Sequence, residues 1–150
     1  MSGMIYGLGL RTFAGFWKRA LASIIDSFII IFICFMVGFF VGVWIIPWLG
    51  EDAWAAVSTL VSWFISFIIN WLYFTLQESS EFKATFGKRA LGIVVTNYTG
   101  ERITFGQANA RYWGKILSGF IFCVGYLMAA FTEKKQALHD ILAKTYVVNK

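Results

Sequence analysis

Charge is what this sequence has least of. Only 14% of its 150 residues are Asp, Glu, Lys or Arg, where a soluble domain carries about 25%. That shortage argues against a water-exposed fold and, with 59% hydrophobic residues, points to a membrane protein. Cysteine is scarce as well. Cys34 and Cys123 both lie in apolar stretches and read as small packing residues, not as a disulfide or a metal site. Histidine occurs once, as His139, without clustered ligands, so no zinc site is expected. No serine or cysteine is placed as an evident nucleophile. The segment TFGKRALG contains Gly87-Lys88, but position 82 is Phe and position 89 is Arg, which excludes a P-loop. Neither an enzyme nor a cofactor is expected. Internal repeats and low-complexity tracts are absent too.

Three apolar segments stand out. Residues 20–46 carry one charge, Asp26; residues 53–76 carry none; residues 112–132 carry one, Lys115. A membrane-spanning helix needs roughly 20 such residues. The first two segments meet that length, the first with some tilt. They are bracketed by Trp17, Trp44 and Trp48, and by Trp54, Trp71 and Tyr73, aromatic rings of the kind that settle at headgroup depth. In the third, the uncharged stretch beyond Lys115 is short and contains Gly119 and Gly125, which weaken a straight helix. It either spans or re-enters.

The net charge of +5 lies beside these segments. That placement suits orientation signals and anionic headgroups rather than nucleic acid. Residues 1–19 carry Arg11, Lys18 and Arg19 and no acid. Loop 47–52 carries Glu51 and Asp52 and no base. Segment 77–111 carries Lys83, Lys88, Arg89, Arg102 and Arg111. Short basic loops stay in the cytoplasm, which places the N-terminus and 77–111 inside a cell (inner) membrane. Lys134, Lys135, Lys144 and Lys150 favour an inside tail, in conflict with a third full span. Within 77–111, the β-rich runs 93–96 and 102–105 around NYTGE suggest a short hairpin turning at Gly100. The tail begins as an amphipathic helix, with Ala137, Leu138, Ile141 and Leu142 on one side.

The expected fold is therefore an all-α membrane bundle. It has two long transmembrane helices, a third spanning or re-entrant segment, a cytoplasmic β-hairpin and a C-terminal amphipathic helix, in a single domain over 1–150. Polar residues interrupt its greasy faces. Arg19 and Asp26 lie seven apart and share one side of the first helix with Ser23 and Ser27. Gly38 and Gly42 continue that side as a GxxxG pair, which suits helix packing. Ser58, Ser62, Ser66 and Asn70 recur every four residues down the second helix. Asn70 lies at about the depth of Asp26 and is the expected partner. Three readings stay open for Asp26: an ion-paired lock with Arg19, a proton- or cation-binding carboxylate, or a neutral buried hydrogen-bonder.

The stretches GFWKRALASIIDSFI (15–29), TFGKRALGIVVTNYTGERITFGQANARYWGK (85–115) and KKQALHDILAKTYVV (134–148) resemble the RDD family of small membrane proteins, in the family's order. The resemblance makes Arg19 the family arginine and Asp26 and Asp140 its two aspartates, and it implies that the three act together. Arg111 and Gly87-Lys88 also match recurring features. Lys144 stands where a glycine is common, which puts a tight turn there in doubt. Proposals of transport in the family imply one function. The chain would be an oligomeric transporter subunit, exchanging a monovalent cation for a proton at Asp26, with Gly38, Gly42, Ser62 and Ser66 packing a homo-oligomer. The alternative is a non-transporting assembly, lipid-binding or accessory module. In it Arg19, Asp26 and Asp140 form a structural ion network, and Lys88, Arg89 and Arg111 contact anionic headgroups or a partner.

Overall fold

The computed structural model describes residues 11–44, 51–120 and 124–150, with the backbone alone over 51–57 and at 124. Trp48 and Cys123 and the side chains of Glu51, Asp52 and Trp54 lie outside that description. Helix α1 spans Phe16–Trp44 and α2 spans Glu51–Glu78. At 1.5 Å per residue, either exceeds the roughly 30 Å hydrocarbon core of a bilayer. Along α1 only Ala22, Asp26 and Ile30 are buried, a stripe at four-residue spacing. Beyond Ser27 its outer surface is apolar and much of it open, with Phe28 70% and Phe35 63% exposed. Water-exposed faces of that size are rare on soluble monomers, so the bilayer covers these.

The third apolar segment is broken. Helix α4 spans Phe105–Phe120 and α5 spans Val124–Phe131, and the two lie 98° apart. Among the described residues two helices are thus long and apolar enough to cross, or three if the bent pair counts as one span. Close contact holds the bend. A Cβ on Gly125 would sit 2.6 Å from Ser118 Oγ, so only glycine allows this approach. Tyr126 Oη donates to the Lys115 carbonyl at 3.0 Å.

A small cap closes the end of the bundle where α1 begins and α2 ends. It contains α3 (Phe86–Ala90), β1 (Ile93–Asn97), α6 (Leu138–Leu142) and β2 (Thr145–Asn149). Strands β1 and β2 are antiparallel, with Ile93 opposite Asn149 and Asn97 opposite Thr145. The N-terminal chain joins them through a bridge between Phe13 and Val148. Alternation sorts the ribbon's faces. Ile93, Val95 and Val147 pack with Ala14, Ala22, Ile103 and Ala108, while Val94, Tyr146 and Val148 pack with Ala84 and Phe13.

The two-stranded element is therefore not the local hairpin expected over 93–105. Its first strand is as expected, but its partner comes from the C-terminus. The reason is a capping box. Gln107 N donates to Thr104 Oγ1 at 3.2 Å and Thr104 N donates to Gln107 Oε1 at 3.1 Å. That reciprocal pair starts a helix at Phe105 and removes 105 from strand pairing. The tail helix is likewise shorter than its pattern suggests, because the chain turns into β2 after Ala143. Lys144 makes that turn with φ +55°, so the tight turn forms without glycine, and the lysine bears the left-handed strain. Lys144→Gly should stabilise the protein by about 0.5–1 kcal/mol, read as a higher Tm in detergent.

Candidate functional site

Where α1 meets the cap, its polar stripe is buried. Asp26 is 1% exposed. Its Oδ1 accepts from Tyr73 Oη at 2.7 Å and from the Gly87 amide at 2.8 Å, and its Oδ2 accepts from Thr85 Oγ1 at 2.5 Å. Thr85 is also the N-cap of α3. Asp26 thus pins α3 to α1, and neither Arg19 nor Asn70 is its partner. The pairing with Asn70 gives way because Gly87 brings α3 so close that its donors reach the carboxylate first. A Cβ at Gly87 would overlap the Ala22 carbonyl oxygen and come within 2.9 Å of Asp26 Cγ.

Arg19 turns the other way and pairs with Asp140 on α6. Its Nε donates to the Ala14 carbonyl at 3.0 Å. Asp140 also pairs with Arg111 on α4, and its Oδ2 accepts from the Ala137 amide at 3.1 Å. Gly114 permits this meeting of α4 and α6, since a Cβ there would lie 2.9 Å from His139 Cβ. Arg111 reaches on to Glu78, Nε to Oε2 at 2.8 Å. Glu78 Oε1 takes Lys88 Nζ at 2.5 Å and Lys115 Nζ at 3.1 Å. One chain of contacts therefore runs Arg19, Asp140, Arg111, Glu78, then Lys88 and Lys115. It ties α1, α6, α4, α2 and α3 together. Burying so many charges is tolerable only because each is paired and hydrogen-bonded.

Two carboxylates here face four cations, leaving a surplus of positive charge. The surplus shows in Lys88, whose ammonium is pushed down to about 8 by burial and by Lys115 and Arg111, against the pull of Glu78. Asp140 is driven the opposite way. Burial would raise it, but Arg111, with Arg19, holds it well below the usual carboxylate range. His139, beside it, is pushed down to about 3 by burial and is neutral at physiological pH. Both shifts make acid destabilising. Between pH 6.5 and 3 the unfolded chain protonates His139 while the folded chain does not, and Asp140 loses its contribution as pH falls through its lowered value. The Tm in detergent should fall steadily below about pH 6 and rise as pH passes about 8, where folded Lys88 sheds a proton that the unfolded chain keeps, and His139→Gln should flatten the upper part of the acid fall. A level Tm down to pH 4.5 would contradict a buried neutral His139.

Beside the network lies a cavity of about 540 Å³ between α1, α2, α4 and α5. Arg19, Lys88, Arg111, Lys115 and His139 line it, with Ser23, Ser27 and Asn70. Neither Glu78, Asp140 nor Asp26 is part of its wall. Arg19 and Lys115 keep 12% and 17% of their side chains exposed, while Arg111 is as deeply buried as Glu78 and Asp140. Among the described residues no group of His, Cys, Asp and Glu is disposed to hold a metal ion.

The other residues flagged by sequence fall elsewhere. Arg89 is exposed and stacks over the Phe82 ring at 4.1 Å. Lys88 and Arg111 are buried in the network, so they are not surface contacts. Gly38 is exposed, with nothing within 4 Å of where a Cβ would stand, and Ser62 is exposed too. Gly42 and Ser66 are half-buried. Glu78 was not singled out from sequence. Its signal was an acid at the last turn of the second span, entering a segment otherwise dominated by bases.

The RDD family model matches residues 13–144, so the chain belongs to the RDD family. Uncharacterized protein YxaI of Bacillus subtilis (strain 168) is 41% identical over 148 residues, covering 91% of this chain and 97% of its own length. Uncharacterized membrane protein YteJ of the same organism is 26% identical over 145 residues, covering 93% and 82%. No solved structure matches. The chain is a membrane protein of that family.

Proposed function

We propose that this member of the RDD family is a non-transporting membrane module, not a cation/proton exchanger, and that Arg19, Asp26 and Asp140 act structurally. The observation that carries this reading is the cavity wall, which among the described residues holds four cationic residues and no carboxylate. A Na⁺ or K⁺ ion entering it would meet repulsion. An exchanging carboxylate needs oxygen lone pairs open to water, whereas Asp26 spends both oxygens on Tyr73, Thr85 and Gly87. The orientation proposed with this reading is an N-terminus and tail both cytoplasmic. The open face through Gly38 and Ser62 is where a second copy would pack.

Flux measurement in reconstituted vesicles tests the reading. No pH-dependent Na⁺ or K⁺ flux is expected. Asp26→Asn should lower stability by about 1–3 kcal/mol and change nothing else, because an amide still accepts from the Gly87 amide. Flux in the wild type, lost in a folded Asp26→Asn variant, would restore the exchanger.

A further inference from the structure

We propose that the cavity is a binding site for an anionic phospholipid whose headgroup carries a hydroxyl. The phosphate would lie against Arg19 and Lys115, with Lys88 and Arg111 adding positive charge behind them, and the hydroxyl would donate to His139 Nδ1. This names the ligand of the site on which the non-transporting reading rests.

Four observations converge. First, the volume of about 540 Å³ falls in the range of roughly 300–1,000 Å³ usual for ligand sites. Second, the wall mixes charge with apolar surface. Phe74, Ile116 and Leu127 line it together with the cations, and the Lys115 ammonium lies 4.0 Å over the Phe74 ring. A lipid headgroup with its chain matches that mixture, and a free inorganic anion does not.

Third, guanidinium and ammonium groups together suit phosphate oxygens, and here they outnumber the carboxylates behind them. An anion would relieve the crowding felt by Lys88, which faces Glu78 from α2 and Arg111 and Lys115 from α4, with Asp26 of α1 bonded to the neighbouring Gly87 amide. Fourth, His139 Nδ1 is buried and has no hydrogen-bond partner among the described residues, although the residue is only 6% exposed and lines the cavity. Its Nε2 lies 3.5 Å from Asp140 Oδ1. The carboxylate favours the ring proton on Nε2, so Nδ1 is left as an acceptor awaiting a donor. An anionic lipid bearing a glycerol hydroxyl supplies both the charge and the donor.

The test uses the purified full chain, delipidated in neutral detergent. Phosphatidylglycerol, phosphatidylcholine, inorganic phosphate and glycerol phosphate are each titrated, with binding read by native mass spectrometry and Tm. Phosphatidylglycerol should bind at least tenfold more tightly than phosphatidylcholine and raise Tm, and its affinity should fall above about pH 8 as Lys88 loses its proton. Lys115→Gln should weaken it several-fold, since Glu78 keeps Lys88 and Arg111. Leu127→Trp, which fills apolar space in the cavity without touching the ion network, should abolish binding and serves if Lys115→Gln does not fold. Equal binding of phosphatidylcholine, or Leu127→Trp binding like wild type, overturns the site. Inorganic or glycerol phosphate binding as tightly as the lipid overturns the lipid and leaves a soluble phosphate ester site. Flux fails or holds independently of all these outcomes, so the loss of this proposal and the loss of the non-transporting reading are distinguishable.

Discussion

Asp140→Asn should leave most of the protein unfolded in detergent at temperatures the wild type tolerates. Asp140 is wholly buried between two arginines. Removing its charge strands Arg19 and Arg111 in a low-dielectric interior, and breaking a buried pair from one side costs about 3–5 kcal/mol. That is a large part of the 5–15 kcal/mol by which folded domains usually exceed their unfolded states. Glu78→Gln should be comparably severe, because three cations lose their common anion. Replacing Arg111 and Asp140 together, by Met and Leu, should recover part of the loss, since only Arg19 is then left without its carboxylate. Thermal denaturation of the single and double variants checks this. Additive losses would show that the two residues do not interact.

Gly87→Ala is the second large effect, and its cause is steric. The added methyl would run into the Ala22 carbonyl oxygen and into Asp26. Backbone cannot step aside as a flexible side chain does, so α3 must move off α1. Overpacking of that kind usually costs about 1–3 kcal/mol. Here the shift also pulls the Gly87 amide and Thr85 away from Asp26 and leaves a buried carboxylate short of donors. The expected loss is therefore at the upper end of that range or beyond it. Gly38→Ala makes the control, because nothing lies within 4 Å there. Its stability should stay near wild type, and equal losses in the two variants would count against close packing as the cause.

Much of the fold was legible because long apolar runs leave little choice. Residues 20–46 and 53–76 correspond to α1 (Phe16–Trp44) and α2 (Glu51–Glu78): α1 begins four residues earlier, α2 is two residues longer at each end, and 45 and 46 lie outside the described residues. The two glycines flagged in the third segment foretold a break, and Gly125 shows why: it presses on Ser118. The strand pairing was not legible. Runs 93–96 and 102–105 look alike in β propensity, and only the Thr104–Gln107 capping box separates them. Strand pairing across 50 residues, from β1 to β2, leaves no local signature at all.

Within the site, the side of α1 bearing Arg19 and Asp26 was visible from spacing, but the direction each one faces was not. Seven residues put them on one side of a helix, yet Arg19 reaches α6 and Asp26 reaches α3. The identity of each partner depends on where the cap folds back. Gly87-Lys88 drew attention as a failed phosphate loop, and its actual use is a glycine for close approach and a buried lysine for Glu78. Nothing in the sequence placed His139 in the site. It is buried because Gly114 lets α6 sit against α4.

The ion network can close only if both chain ends lie on the same side of the membrane. In a protein with Cys34 and Cys123 replaced by Ala, a single cysteine at Thr12 and, separately, at Lys150 can be probed with a membrane-impermeant thiol reagent in intact and lysed cells. Asn149 N donates to the Thr12 carbonyl at 2.9 Å, so the two positions should behave alike, both protected until lysis. Labelling of one in intact cells with protection of the other would put Asp140 a membrane thickness from Arg19. The network, the cap and the cationic cavity would then all fail together.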